Sequence, residues 1–249
     1  MIEDYYNALA PQYRLLFEDW DASVKRQAVA LDDVIRKVFG TRVKTVLDAA
    51  CGIGTQSIGL AQRGYEITGS DLSSTAITQA TIEAARRGLE ITFGIADMRE
   101  LSGIYSHQFD LVIACDNAIP HLLSDAEILR AFEQFHKCTG SAGGCIISVR
   151  DYDNIERGGS RLIPRQVHRT GEGRVLVFDL WEFEGDYYDF TTYIIEENDR
   201  QPPITHVYRG GRYYCVTLRR LAELLKEAGF KRIDTLREGY YQPLLIGSK

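Results

Sequence analysis

An acid, small residues and two glycines separate an apolar run from a helix in Val46-Leu47-Asp48-Ala49-Ala50-Cys51-Gly52-Ile53-Gly54-Thr55. Val46 and Leu47 close a buried strand. Gly52 and Gly54 give the backbone conformations other residues avoid and let a ligand approach the main chain. The helix expected from Thr55 to Arg63 points its free N-terminal amides at that ligand. A second acid, Asp71, ends the next strand, Glu66-Ile67-Thr68-Gly69-Ser70-Asp71. It lies close to the roughly 20-residue spacing at which such folds set a carboxylate on a ribose diol. A charged carboxylate accepts short hydrogen bonds from both hydroxyls. These residues predict a nucleoside-binding unit.

A dinucleotide loop would carry a third glycine to pack its helix under a pyrophosphate. Ser57 stands there instead, and Asp48 ahead of the loop sits poorly beside a doubly charged group. An acid suits a ligand with an ammonium and a sulfonium. This loop, with its acid, resembles that of class I S-adenosylmethionine-dependent methyltransferases. The resemblance runs from about Trp20 to Arg150. It implies S-adenosyl-L-methionine as cofactor, S-adenosyl-L-homocysteine as product, and cofactor contacts at Asp48, Ala50, Gly52, Gly54, Asp71, Leu72 and Cys115. The third strand ends Ile95-Ala96-Asp97-Met98. In the family this position reads adenine, so Asp97 would accept from the exocyclic amine and Met98 pack on the ring. Arg26 lies as far before the loop as the family's arginine for the cofactor carboxylate, and Trp20 accompanies it. The segment around Trp20 also reads as an amphipathic helix face.

The fourth strand runs into Cys115-Asp116-Asn117-Ala118-Ile119-Pro120-His121-Leu122, and the fifth into Ser148-Val149-Arg150-Asp151-Tyr152-Asp153. There is no Asn/Asp-Pro-Pro-Tyr/Phe signature of nucleic-acid amino-methylation. Asn117, His121 and Leu122 resemble the Gly-Asn-Ser-Phe-Ala-His-Leu segment of glycine N-methyltransferases. Arg150 falls on that family's His-Arg-Asn-Tyr-Asp arginine, which holds the substrate carboxylate. The physics agrees, because a guanidinium presents a planar fork to a carboxylate and is costly at a buried strand end without an anion. An ion pair with Asp151, Asp153 or a loop acid is the competing reading. By resemblance, Asn117 would orient the amine, and Asp116 or His121 would accept its proton. Tyr213-Tyr214 sit like the family's tyrosine pair before its last helix, which implies substrate contact at Tyr214. Asp116, Pro120 and Asp151 depart from the family pattern. The extra acids favour a more cationic acceptor, or neutralise Arg150.

These side chains need an alternating scaffold. Residues 3–39 read as helical. Strands are expected near 43–49, 66–71, 91–96, 110–115 and 144–150, with helices near 55–63, 74–87 and 124–138 between them. Such alternation implies a parallel sheet with right-handed crossovers and ligands at the carboxyl ends of its strands. Ser124 and Glu127 form an expected capping box. Residues 174–183, 187–197 and 204–215 read as antiparallel strands. A helix over Leu218–Ala228 and strands 231–237 and 240–247 finish the sheet. The predicted fold is a single Rossmann-like α/β methyltransferase domain over 1–249. It has a seven-stranded, mostly parallel sheet with helices on both faces. Its parts are a helical lid (1–40), a cofactor core (41–151), a β-rich insertion over the active site (152–212), and a C-terminal helix and strands (213–249).

The chain has 249 residues, enough for one large domain with an insertion. Its 29 basic and 35 acidic residues give a net charge of -6, which argues against nucleic acid or an anionic membrane as partner. The five cysteines form no C-x-x-C pair, and no His/carboxylate cluster has ligand spacing, so neither disulfides nor a metal is expected. No signal peptide or membrane span is visible, and a cytoplasmic enzyme acting on a small amino acid or amine is the expectation. Two rival readings are a nicotinamide oxidoreductase, disfavoured by the missing third glycine, and a non-catalytic cofactor-binding protein, disfavoured by the intact loop.

Overall fold

The computed structural model describes every residue except Met1, Glu172 and Asp199. The chain opens with α1 (Ile2–Leu9), a 3-10 turn over Ala10–Leu16, and α2 (Trp20–Phe39), capped by the Asp19 carboxylate. The alternating region follows as β1 (Thr45–Asp48), α3 (Thr55–Ala61), β2 (Glu66–Asp71), α4 (Ser74–Arg86), β3 (Thr92–Ile95), α5 (Leu101–Ile104), β4 (Phe109–Ala114), α6 (Asp125–Cys138) and β5 (Thr139–Ser148). Then come β6 (Ser160–Thr170), β7 (Gly173–Glu184), β8 (Tyr187–Asn198) and β9 (Gln201–Tyr214). The chain closes with α7 (Leu218–Glu227), β10 (Arg232–Leu236) and β11 (Leu244–Ser248).

The main sheet has seven strands in the order β10-β11-β5-β4-β1-β2-β3, with β11 antiparallel to both its neighbours. Its central strands are buried on both faces, and their side chains alternate between two apolar layers. Val46, Leu111, Ile113 and Ile146 pack with Leu31, Ile35 and Phe39 of α2. Leu47, Val112, Ala114 and Ile147 pack with Phe132 and Phe135 of α6 and Leu221 and Leu225 of α7. Each such fully buried side chain contributes about 1.5–3 kcal/mol. The order reverses between β1 and β4, and that switch point opens a crevice at the carboxyl ends of the strands. Ser124 caps α6 as expected, but Glu127 reaches the amide of Leu123.

The insertion is a separate four-stranded antiparallel sheet, β6-β7-β8-β9. Three of its strands match the expected runs; β6 was not anticipated. Its sequence carries Pro164 and polar residues, which demote a strand. The sheet tolerates them because β6 is an edge strand whose register shifts between Pro164 and Gln166. The inner face of this sheet packs on α1, where Tyr5, Phe190 and Tyr213 join the main core.

Phe190 pairs with Gly211 across β8 and β9. A Cβ at Gly211 would lie 2.1 Å from the Phe190 ring. Gly211→Ala should therefore destabilise the fold by about 1–3 kcal/mol through overpacking. A lower urea midpoint at unchanged slope would show it; an unchanged midpoint would mean that the ring moves freely.

Candidate functional site

Two connected cavities occupy the crevice. One, about 240 Å³, lies over the β1–α3 loop and is lined by Ala50, Gly52, Asp71, Leu72, Asp97, Met98, Cys115 and His121, among others. The other, about 560 Å³, lies towards the insertion and is lined by Arg26, Arg150, Arg165, Phe190, Tyr213 and Tyr241, among others. Tyr6, Tyr13 and Asp116 border both. A group transferred between ligands in the two cavities must pass these three side chains.

The smaller cavity fits a nucleoside. Gly52 has φ +52, and a Cβ there would meet nothing within 4 Å, so the space above the loop is open to a ligand. Asp71 accepts the Gly52 amide on one oxygen and the Ser73 amide on the other, both at 2.9 Å. These bonds fix the carboxylate plane and leave lone pairs for a diol. Burial raises its pKa, and the amides counter that. Asp97 sits with Met98 at the end of β3, held by the Arg99 guanidinium at 2.6 Å. Burial pushes Asp97 up, but Arg99 outweighs it and holds the carboxyl below its ordinary range.

Several expected residues stand elsewhere. Trp20 lines neither cavity. Its indole donates to Thr55 at 3.0 Å and its ring lies under Arg14 and Arg87, which makes it a packing residue between α2 and α3. Gly54 lies beneath the loop, where its φ of +90 begins α3. Arg26 borders the larger cavity, not the nucleoside pocket. Asp48 is fully buried under the loop, and Ser57 donates to its Oδ2 at 2.7 Å. Burial pushes its pKa up to about 7.

The acceptor end depends on a sharp reversal after β4. Asp116 and Asn117 both adopt left-handed backbone, with φ of 58° and 66°. Such conformations cost non-glycine residues energy and cluster at functional sites. Ser148 secures the reversal, its hydroxyl taking the Asp116 amide at 2.8 Å and its carbonyl the Asn117 amide at 3.1 Å. The Asn117 side chain then turns inward, away from both cavities. Its Oδ1 accepts the Arg150 amide at 2.9 Å and its Nδ2 donates to Tyr152 at 2.8 Å. The expectation that it orients an acceptor amine is therefore corrected: it positions the backbone of Arg150. Asp116 faces the cavities instead, bonded to the Tyr241 hydroxyl, and burial raises its pKa.

Arg150 borders the larger cavity with no carboxylate partner among the described residues. Its Nη1 donates to Tyr188 at 2.9 Å, and its guanidinium lies 5.2 Å from the rings of both Trp181 and Tyr213. Among the described residues no ion pair joins Arg150 to a carboxylate, and Asp151 turns instead to Arg237 and Asn154. His121 gives Nδ1–H to the Arg212 carbonyl at 3.1 Å, since a carbonyl only accepts, so Nε2 takes the Tyr6 hydroxyl at 2.7 Å. Burial pulls its pKa down to about 3, leaving it neutral and poorly suited as the first proton acceptor. Tyr214 is also corrected. Neighbours on a strand face opposite ways, so Tyr213 lines the cavity while Tyr214 turns to Asp125 at 3.1 Å.

Arg165, on the unanticipated β6, is the functional candidate the sequence reading missed. It borders the larger cavity and donates to Asp179 at 2.6 Å. The one available signal was a cation inside a run flanked by Ile163 and Val167.

Residues 46–143 match a family described as methyltransferase domain. The chain is 24% identical over 239 residues to a glycine/sarcosine N-methyltransferase of Halorhodospira halochloris, covering 94% of this chain and 81% of that protein. It is 32% identical over 102 residues to a ubiquinone biosynthesis O-methyltransferase of Azoarcus sp. (strain BH72), covering 41% of this chain and 43% of that one. The chain spans about half the length, or less, of other curated relatives it matches. Its fold is similar to the S-adenosylmethionine-bound amino pentose methyltransferase CalS10 from Micromonospora echinaspora. That match has a TM-score of 0.78 at 17% identity and covers 97% of this chain and 96% of that one. Among the described residues there is no metal-binding cluster of His, Cys, Asp or Glu, and no helix long and apolar enough to cross a membrane.

Two outcomes are expected. Asp71→Asn should weaken S-adenosylhomocysteine binding about tenfold to a hundredfold, the value of one charge-assisted hydrogen bond. Calorimetric titration reads this, and unchanged affinity would remove Asp71 from the ribose. The second concerns Asp48, whose folded pKa is raised to about 7. A raised pKa means that its stabilising proton is fully present below the unfolded value and is lost as pH rises through the folded one. Asp48→Asn should therefore gain stability relative to wild type between about pH 4 and pH 7, by an amount of order a kcal/mol or more. Urea midpoints of the ligand-free proteins at pH 5 and pH 8 test it; a pH-independent difference would contradict it.

Proposed function

We propose that this chain is an S-adenosylmethionine-dependent methyltransferase that methylates the amino nitrogen of a small amino acid such as glycine or sarcosine; its methyltransferase domain match and its curated relative support the reaction class. The observation that carries this reading is Arg150: a half-buried guanidinium bordering an aromatic-lined cavity with no carboxylate partner among the described residues. A charge removed from water needs an anion, and its fork suits a carboxylate. The resemblance of Asn117, His121, Leu122 and Arg150 to glycine-type enzymes, and the Halorhodospira halochloris relative, support the same acceptor.

When bound, S-adenosylmethionine supplies an electrophilic methyl group on a positively charged sulfur. Asp71 would hold the ribose, Asp97 and Met98 the adenine, and the residues bordering both cavities would flank the methyl. Arg150 would fix the acceptor's carboxylate, which leaves the amine to reach towards Asp116. Asp116 would attract an incoming ammonium and accept the proton that frees its lone pair. Raising its pKa by burial brings it closer to that task. The rings of Tyr6 and Tyr13 offer electron-rich faces that stabilise the cation before and after transfer. His121, with its proton on the Arg212 side, would hold the Tyr6 hydroxyl in place.

A second reading keeps the cofactor and changes the acceptor to a larger amine or a hydroxyl compound. The 560 Å³ cavity favours it, as does the O-methyltransferase relative.

S-adenosylhomocysteine formation with glycine, sarcosine, dimethylglycine, larger amino acids, simple amines and catechols separates these readings. Turnover confined to carboxylate-bearing amines supports the first; turnover only on acceptors without a carboxylate removes it. Arg150→Ala should raise the acceptor KM at least about tenfold and leave S-adenosylhomocysteine affinity nearly intact. Equal loss of both would show that Arg150 supports the fold, not the acceptor.

A further inference from the structure

The larger cavity contains a second cation with its own supporting machinery. Arg165 donates through Nε and Nη2 to Oδ2 of Asp179, at 2.8 and 2.6 Å. The other oxygen of Asp179 accepts the Thr192 hydroxyl at 2.7 Å, and the Thr192 oxygen takes the Tyr5 hydroxyl at 2.7 Å. Tyr5 belongs to α1 and borders the same cavity. The arrangement is asymmetric. Asp179 and Thr192 are sealed, at 0% and 1% exposure, whereas the Arg165 side chain keeps 31% and faces the cavity. Asp179 therefore sits behind the guanidinium and fixes its plane, and the ligand meets the cation. A purely structural ion pair has no need to present its positive half to the cavity that holds Arg150.

Charge and space agree. Arg26, Arg150 and Arg165 border this cavity against one bordering carboxylate, Asp116. Counting Asp179 behind Arg165, three cations face two anions and leave one positive charge. A sulfonium at the junction brings another, and unpaired like charges repel. An amino acid with one carboxylate is a zwitterion and offsets neither of the two; a second anionic group on the acceptor offsets one of them. Glycine has five heavy atoms, about 150 Å³ at ~30 Å³ each. A 560 Å³ cavity leaves room for further atoms beside it and the cofactor's amino-acid end.

We propose that Arg165 is a second anion-binding group of the acceptor site, so that the acceptor is an amine carrying two anionic groups. One is a carboxylate on Arg150, and the other is a carboxylate or phosphate on Arg165. This rests on the reading of Arg150 as a carboxylate clamp and narrows its substrate class.

The test is equilibrium binding to the S-adenosylhomocysteine-bound protein, which requires no turnover. Malonate, succinate and glutarate are compared with acetate, propionate and butyrate, and 3-phosphonopropionate with succinate. At least one dicarboxylate should bind about tenfold to a hundredfold tighter than its monocarboxylate partner. Arg165→Gln should remove that gain and leave monocarboxylate affinity in place, and Arg165→Lys should keep part of it. Tighter binding of the phosphonate assigns the second group as phosphate, and weaker binding as carboxylate. No dicarboxylate advantage in wild type, or an advantage that survives both Arg165 variants, overturns the proposal. If Arg165→Gln fails to bind S-adenosylhomocysteine, the wild-type series and Arg165→Lys decide. The underlying reading fails separately: Arg150→Gln would then leave monocarboxylate affinity unchanged.

Discussion

A half-buried guanidinium just beyond β5, with no carboxylate partner among the described residues, is the constraint around which the larger cavity is arranged. Burying a charge is costly unless it is paired. Here the surroundings supply a phenol at 2.9 Å and two aromatic faces, which support the cation without neutralising it. Neighbouring charges are kept apart from it: Asp151 is turned to Arg237, and Asp179 is held by Arg165 and Thr192. Asn117 accepts a strained backbone to bond the Arg150 amide, and Ser148 bonds both residues of that reversal. The result is a cation fixed at the wall of the larger cavity, as the proposed carboxylate clamp requires.

The cofactor half follows a different logic. The smaller cavity is walled by short loops at the carboxyl ends of β1, β2, β3 and β4, where the parallel sheet reverses order. Gly52 leaves open space, Asp71 is oriented by two amides, and Met98 offers an apolar face. Asp48 lies beneath this end, where burial pushes its pKa up to about 7. The two halves meet at Tyr6, Tyr13 and Asp116, and α1 joins them physically. Asn7 accepts from Ser73 beside the cofactor loop, while Tyr5 reaches Thr192 in the insertion.

These two halves were unequally legible in the sequence. The cofactor core was readable because its signals are local: an acid, two glycines and a strand-end acid within one supersecondary unit. The seven-stranded sheet followed from alternating strands and helices, with boundaries off by a few residues. The acceptor cavity was only partly readable because its walls come from strands far apart in the chain. Arg150 was found by resemblance, but Arg165 lay on an edge strand whose proline and polar residues read as loop. Tyr213 and Tyr214 could not be told apart without the register of β9, which decides which face each presents. Asn117 carried the right residue type for a substrate contact; only the left-handed turn shows that its amide is used up on Arg150 and Tyr152. Trp20 looked like a cofactor contact, and its packing against α3 under Arg14 and Arg87 became visible only in the folded chain.

The most direct test of this account is a crystal structure of the protein with S-adenosylhomocysteine and glycine bound together. The account predicts the sulfur at the junction bounded by Tyr6, Tyr13 and Asp116, the glycine carboxylate on the Arg150 guanidinium, and the nitrogen directed at the sulfur. A carboxylate bound away from Arg150, or a sulfur remote from that junction, would contradict it.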